Sequence, residues 1–287
     1  MKPQHLLLGL FVMAIWGTNF AIIKLGLDTL DPFLLTAFRF LFCAVPGVFF
    51  VKRPKGKMGA ALLYGLIFGI GLWGMVNLGM DMGVPAGLAA LLLQLSALFT
   101  IAWGVLFFGE SISRRQCIGI AIALLGFGAI ILATGGWSSL TGTLCVAIGA
   151  FSWSLCNIII KKTHPPNLLA FIIWSSLFSA IPLFVLTYWI KGPLPFLMLP
   201  HELTGSAIFS VLFQAYITTL FGYWVWNFLL KKYSVAQVAP LSMLIPVFGF
   251  ARAYWMFHET LLPFKILGVV VMLIGMGIFL VKKGISS

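Results

Sequence analysis

Charge is what this sequence lacks most. Asp, Glu, Lys and Arg make up 8% of its 287 residues, against roughly 25% in soluble domains. That is too little to clothe a water-facing surface, and it excludes a soluble globular enzyme. Acids are the scarcest of all. Asp28, Asp31, Asp81, Glu110, Glu202 and Glu259 are the full set, and each falls at the end of an apolar run or in a loop. Proton-coupled carriers commonly hold a carboxylate or His in the membrane interior. None stands at mid-depth here and the His residues are peripheral too, so facilitated passage down a gradient is at least as well supported as obligate proton antiport. Cys43, Cys117, Cys145 and Cys156 show no C-x-x-C spacing and no clustered His. They read as small buried hydrophobes, and no disulfide framework, metal site or cofactor is expected. An intramembrane enzyme lacks its parts as well: there is no mid-span Asp pair, no H-E-x-x-H and no Ser/His dyad at depth. A receptor would need a signalling domain, and the longest polar stretch, 191–205, reads only as a loop.

What the chain has instead is length in apolar residues. They amount to 61% of the sequence, and the mean hydropathy is +1.10. A membrane-crossing helix takes about 20 such residues to traverse a hydrocarbon core of about 30 Å. Ten candidate spans lie near 5–26, 32–51, 60–80, 85–108, 114–134, 141–160, 168–190, 206–229, 234–257 and 263–281. Turn chemistry separates them, as at Asp31-Pro32, Gly135-Gly136 and His164-Pro165-Pro166-Asn167. The runs are continuously apolar rather than alternating, which argues for helices over a barrel. The first run is too long for a cleaved signal peptide and no small-x-small site follows it. The expected fold is an all-α integral membrane protein.

Net charge of +12 raises the question of nucleic acid, and the distribution answers it. Lys2, Lys52, Arg53, Lys55, Lys57, Arg114, Arg115, Lys161, Lys162, Lys231, Lys232, Lys282 and Lys283 all fall on one side if the N-terminus is cytoplasmic, 13 of the 18 basic residues. This is the positive-inside pattern. It sets both termini in the cytoplasm and makes the basic clusters anchors beside anionic lipid, with no nucleic-acid partner.

The chain also repeats itself. Glu110, Gly119, Gly126 and Gly128 recur as Glu259, Gly268, Gly275 and Gly277, each 149 residues later. Trp16 and Lys24 are echoed at the same spacing by Trp153 and Lys161. Two halves of five spans follow, 1–136 and 137–287. Because five is odd, the second half enters the membrane upside down. Inverted repeats are a recurrent transporter design with the binding site near the midplane between the halves. The glycine stripes let helices approach closely and are expected to hold each fifth span against a neighbour or against a second protomer in a homodimer.

A set of motifs runs in order through these spans: Trp16-Gly17-Thr18-Asn19-Phe20 with Lys24, then Arg39-Phe40, Pro85-Ala86-Gly87-Leu88-Ala89-Ala90 leading to Gln94, Gly109-Glu110, and Val238-Ala239-Pro240-Leu241-Ser242-Met243-Leu244-Ile245-Pro246-Val247. In this set, over essentially its whole length, the sequence resembles the EamA family of the drug/metabolite transporter superfamily. The resemblance implies a secondary transporter of a bacterial inner membrane that exports small amino-acid metabolites, of the cysteine and O-acetylserine kind, by alternating access. A drug or nucleotide-sugar carrier on the same fold is the alternative. In one departure, Ala97 stands where many members carry a proline, opposite Pro246. The proline signal for a kink is thus present in span 9 and missing in span 4.

Polar side chains in mid-span must face the bundle interior or a cavity. Trp16 and Asn19 share a helical face, and Trp153 with Asn157 repeats the pair in the second half. Trp gives an apolar wall with one donor, and Asn gives both donor and acceptor, which suits an amino-acid-like substrate. The bland alternative is that each Asn bonds a neighbouring helix and each Trp packs. Gln94, about 14 Å beyond Pro85, lies near the midplane. Asn77, Gln214 and Tyr223 join it as candidates, and Ser242 lies between Pro240 and Pro246, whose interruptions of one helix either expose backbone to a site or make a simple packing kink. Arg39, about 10 Å deep, either snorkels outward or attracts a carboxylate. Lys24 either pairs with Asp28 or serves the substrate.

Overall fold

The computed structural model describes the chain except residues 109–112, 133–136, 234–237, 239–240, 243, 259–262 and 281–287. Glu110, Glu259 and Pro240 therefore lie outside the described residues. What is described is helical. In chain order the principal helices are α1 (Pro3–Leu27), α2 (Pro32–Ala44), α3 (Met58–Asp81), α4 (Ala86–Leu92 followed by Leu95–Phe108), α5 (Arg114–Leu132), α6 (Trp137–Thr163), α7 (Leu168–Lys191), α8 (Gly205–Leu212 continuing through Gly222–Lys232), α9 (Leu244–Phe257) and α10 (Pro263–Leu280). Among the described residues, seven helical stretches are long and apolar enough to cross a membrane, including α1, α3, α6, α7 and α8. Large apolar side chains point away from the bundle, among them Phe50, Leu132 and Trp189, each more than 80% exposed. In water such a surface would aggregate, whereas in lipid it is the ordinary outer face. The protein is an all-α, multi-pass membrane protein.

Local chemistry sets the helix ends. Pro32 occupies the first turn of α2, where no intrahelical N–H is needed, and the Asp31 carboxylate accepts from Phe33 N–H at 2.8 Å and Leu34 N–H at 3.1 Å. Asn167 caps α7 through Ala170 N–H at 3.1 Å, and Thr204 caps α8 through Ala207 N–H at 3.2 Å. Each satisfies a donor that lipid could not. Gly192 ends α7 at φ +68°, a conformation that costs glycine little.

Three features depart from the sequence expectation. First, α4 breaks at Leu93-Gln94 without a proline; in its place a turn runs from Leu93 C=O to Ser96 N–H at 3.1 Å and from Gln94 C=O to Ala97 N–H at 3.0 Å. Second, the described stretch of α9 is Leu244–Phe257, shorter than the span expected over 234–257, with Pro246 near its start. Pro240 and Met243, just ahead of that stretch, lie outside the described residues, and with them the expected interruption of span 9. Third, α3 and α8 each widen into a π-helical stretch, Ile67–Gly74 and Phe213–Phe221.

Helix packing has an internal order. α2 lies on α7, α4 on α9 and α5 on α10; α1 packs on α8 and α9, and α6 packs on α3 and α4. Moving five helices along the chain converts each of these pairings into another of the same set. The α5–α10 pair shows it at atomic scale. A methyl group at Gly126 would lie 2.7 Å from the Gly268 carbonyl oxygen, and one at Gly275 would lie 2.7 Å from the Gly119 carbonyl oxygen. Gly126 and Gly275 of the stripes are therefore packed against the opposite helix within the chain.

Candidate functional site

A narrow cavity lies where α1, α2, α3, α4, α6, α8 and α9 converge, lined by Trp16, Asn19, Phe20, Arg39, Trp73, Ala90, Leu93, Gln94, Trp153, Thr218, Tyr223 and Ile245. Six of the sequence-predicted residues thus meet in one place: Trp16, Asn19, Arg39, Gln94, Trp153 and Tyr223. Helix geometry brings them there. Trp16 and Asn19, three apart on α1, present one face. That face reaches α8, where Trp16 Nε1–H donates to the Thr218 carbonyl at 3.0 Å and the Thr218 hydroxyl donates to Asn19 Oδ1 at 2.9 Å. The Thr218 carbonyl belongs to the π-helical stretch, whose wider winding changes which carbonyls remain bonded along the helix. The Tyr223 ring lies tilted against Trp16, with ring centroids 5.3 Å apart.

The break in α4 is part of the site. Gln94 Nε2 donates to the Ser242 carbonyl at 2.7 Å, tying the interruption of α4 to the residues just ahead of α9. Ser242 thus contributes its backbone to the wall's support, and its side chain is not part of the lining.

Arg39 is the charged side chain of this cavity. It is completely buried, with its guanidinium 3.9 Å from the centroid of Trp73. Its Nε–H and one Nη2–H donate to Thr219 Oγ1 at 3.2 Å and 3.0 Å, and one Nη1–H donates to Gln214 Oε1 at 3.4 Å. Among the described residues no carboxylate pairs with it. Thr219 is itself fixed, its hydroxyl donating to the Gln214 carbonyl at 2.8 Å, and Gln214 Nε2 donates to Ser210 Oγ at 3.0 Å. Gln214 supports Arg39 from behind, outside the lining.

The other candidates lie elsewhere. Asn77 is buried and donates to Thr36 Oγ1 at 2.9 Å, joining α3 to α2. Asn157 is exposed and donates to Thr100 Oγ1 at 3.2 Å. Its four-residue spacing from Trp153 turns it onto a different face from the three-residue spacing of Trp16 and Asn19. Lys24 lies over the Phe257 ring, 4.4 Å from its centroid. Trp73, Phe20 and Thr218 were not expected at the site. Trp73 and Phe20 look like ordinary packing residues in an apolar run, and Thr218 becomes visible only as the partner of Asn19 once α1 and α8 are seen to touch.

The comparisons with known proteins agree with this architecture. The model of the EamA-like transporter family matches the chain twice, over residues 4–132 and again over 140–281. A protein of Salmonella typhimurium is 36% identical over 275 residues, covering 94% of this chain and 92% of its own. One of Escherichia coli is 36% identical over 284 residues, covering 96% and 94%. Both carry the name "Probable amino-acid metabolite efflux pump". A solved crystal structure, 18% identical and covering 97% of this chain and 98% of the other, superposes with a TM-score of 0.63, which shows a shared fold. The protein is therefore a membrane transporter of small molecules and no enzyme, and it belongs to the EamA-like transporter family.

Proposed function

We propose that this transporter exports small amino-acid metabolites of the cysteine and O-acetylserine kind across the bacterial inner membrane. It works as two inverted five-helix halves, residues 1–136 and 137–287, with ten spans and both termini cytoplasmic. Here α5, α9 and α10 join the seven longer stretches as spans. The exchange of helix pairings between halves, the reciprocal glycine contacts and the doubled family match all support the duplication. The names of the two bacterial relatives support the cargo class.

One observation carries the reading: the cavity draws its walls from both halves. Asn19, Arg39, Trp73 and Gln94 come from the first, and Trp153, Thr218, Tyr223 and Ile245 from the second. A site at such a seam is exposed to alternate sides when the halves rock against each other. Its polar groups are few and fixed, as in ligand sites generally. Counterflow of labelled cysteine, O-acetylserine and threonine into liposomes holding the purified protein tests the reading. Flux of the first two is expected. Absence of flux for all three, with the protein folded, would refute it.

A further inference from the structure

The cavity is rich in hydrogen-bond donors and poor in negative charge. Trp73 Nε1–H and the Asn19 Nδ2 amide are buried with no partner, and both residues line the cavity. Arg39 adds to them. A guanidinium has five N–H donors, and three are engaged here, all by neutral oxygens at 3.0 Å to 3.4 Å. Charge-assisted bonds to a carboxylate are shorter, at about 2.7–2.9 Å. The guanidinium is thus buried with no carboxylate partner among the described residues, and its hydrogen-bond partners are all neutral. A buried cation in that condition is costly, and in a membrane protein it commonly serves an ion or substrate pathway. On the acid side, Asp28, Asp31, Asp81 and Glu202 are absent from the lining, and Arg39 is its sole ionisable side chain of unmistakable charge among the described residues.

We infer that cargo is recognised through its carboxylate, bound by Arg39 with Trp73 and Asn19, and that the cargo's ammonium group is dispensable. This deepens the proposed function and rests on the cavity being the cargo site. An entering carboxylate neutralises the guanidinium and supplies acceptors to donors that have none. Gln214 and Thr219 hold the guanidinium in place in the meantime, as positioning residues. An ammonium meets no acid among the described lining residues, only neutral side chains such as Gln94 and the rings of Trp16, Trp153 and Tyr223, and attraction to these competes with repulsion from Arg39. A cationic solute without a carboxylate is therefore refused.

The test is thermal stabilisation of the purified wild-type protein by three small thiols: cysteine, 3-mercaptopropionate, which lacks the amino group, and cysteamine, which lacks the carboxylate. Half-maximal stabilisation by cysteine and 3-mercaptopropionate is expected within about threefold of one another, and that by cysteamine about tenfold higher or undetectable, a tenfold ratio being the loss of one charge-assisted bond. Arg39→Gln should abolish the response to 3-mercaptopropionate, and Arg39→Lys should retain part of it. Cysteamine stabilising as well as cysteine, or 3-mercaptopropionate failing where cysteine succeeds, overturns the inference on the wild-type protein alone, whatever the variants do. A response to 3-mercaptopropionate with none to cysteine would leave the carboxylate inference standing and defeat the amino-acid cargo. No response to either carboxylate overturns the inference, and counterflow then judges the cargo separately.

Discussion

At the scale of single residues, two asparagines of the first half look alike in sequence and differ in structure. Asn19 lines the cavity with its amide nitrogen unpartnered, whereas Asn77 spends its amide on Thr36 Oγ1 between α3 and α2. Asn19→Ala is expected to lower counterflow about tenfold, with membrane abundance at the wild-type level by immunoblot. Asn77→Ala should do the reverse. It loses an interhelical bond of about 0.6–2 kcal/mol, so the unfolding temperature falls while flux per folded molecule is kept. Wild-type flux in Asn19→Ala would move the cargo away from α1. Sequence made the cavity residues legible in proportion to how out of place they are in lipid. Trp16, Asn19, Arg39 and Gln94 stand out because a polar atom at mid-depth needs a reason. Phe20 and Trp73 do not, since an aromatic in an apolar run has a reason already. Gln214 was legible as polar but not as a support for Arg39, because that role depends on α2 and α8 lying side by side.

At the scale of helices, glycine placement separates packing from mere smallness. Gly126 is enclosed by the backbone of α10, close to Gly268 and Met272, but two residues on Gly128 has nothing within 4 Å of where a Cβ would be. Gly126→Leu forces backbones apart at a contact with no flexible side chain to yield, and overpacking of this kind costs about 1–3 kcal/mol. Gly128→Leu meets only open space. The first should reduce folded yield in detergent, measured by size-exclusion chromatography, and the second should leave it unchanged. Equal loss in both would mean that the close contact with α10 is not what Gly126 is needed for. The repeat of these glycines was plain in the sequence because it is a pattern of residue types at a fixed offset. The π-helical stretches of α3 and α8 and the break in α4 were not. A π turn has no residue signature, and the break at Leu93-Gln94 is held by a long-range bond to Ser242 instead of by a proline.

At the scale of the whole molecule, rocking of two halves requires that contacts at one end of the bundle form and release during each cycle. One such contact is on view. His5 near the start of α1 meets the Tyr233 hydroxyl at 2.6 Å, and that hydroxyl also accepts from the Lys2 backbone N–H at 3.1 Å. These groups close one end of the α1–α8 seam, the same seam whose middle carries Trp16, Asn19 and Thr218 at the cavity. If the seam parts at that end in alternating access, a covalent link there must hold the carrier in one state. His5→Cys with Tyr233→Cys, in a background with Cys43, Cys117, Cys145 and Cys156 replaced, is expected to lose more than about nine-tenths of O-acetylserine counterflow on oxidation, a change of about 1.4 kcal/mol or more in the accessible barrier, and to recover it on reduction. Cargo binding, read by thermal stabilisation, should survive the link, because the cavity remains intact in the locked state. Undiminished flux through the cross-linked protein would mean that α1 and α8 stay together at this end throughout the cycle. The moving boundary would then lie elsewhere, with the reciprocal seam between α6 and α3 the next place to link, since the exchange of helix pairings makes it the counterpart of α1 and α8.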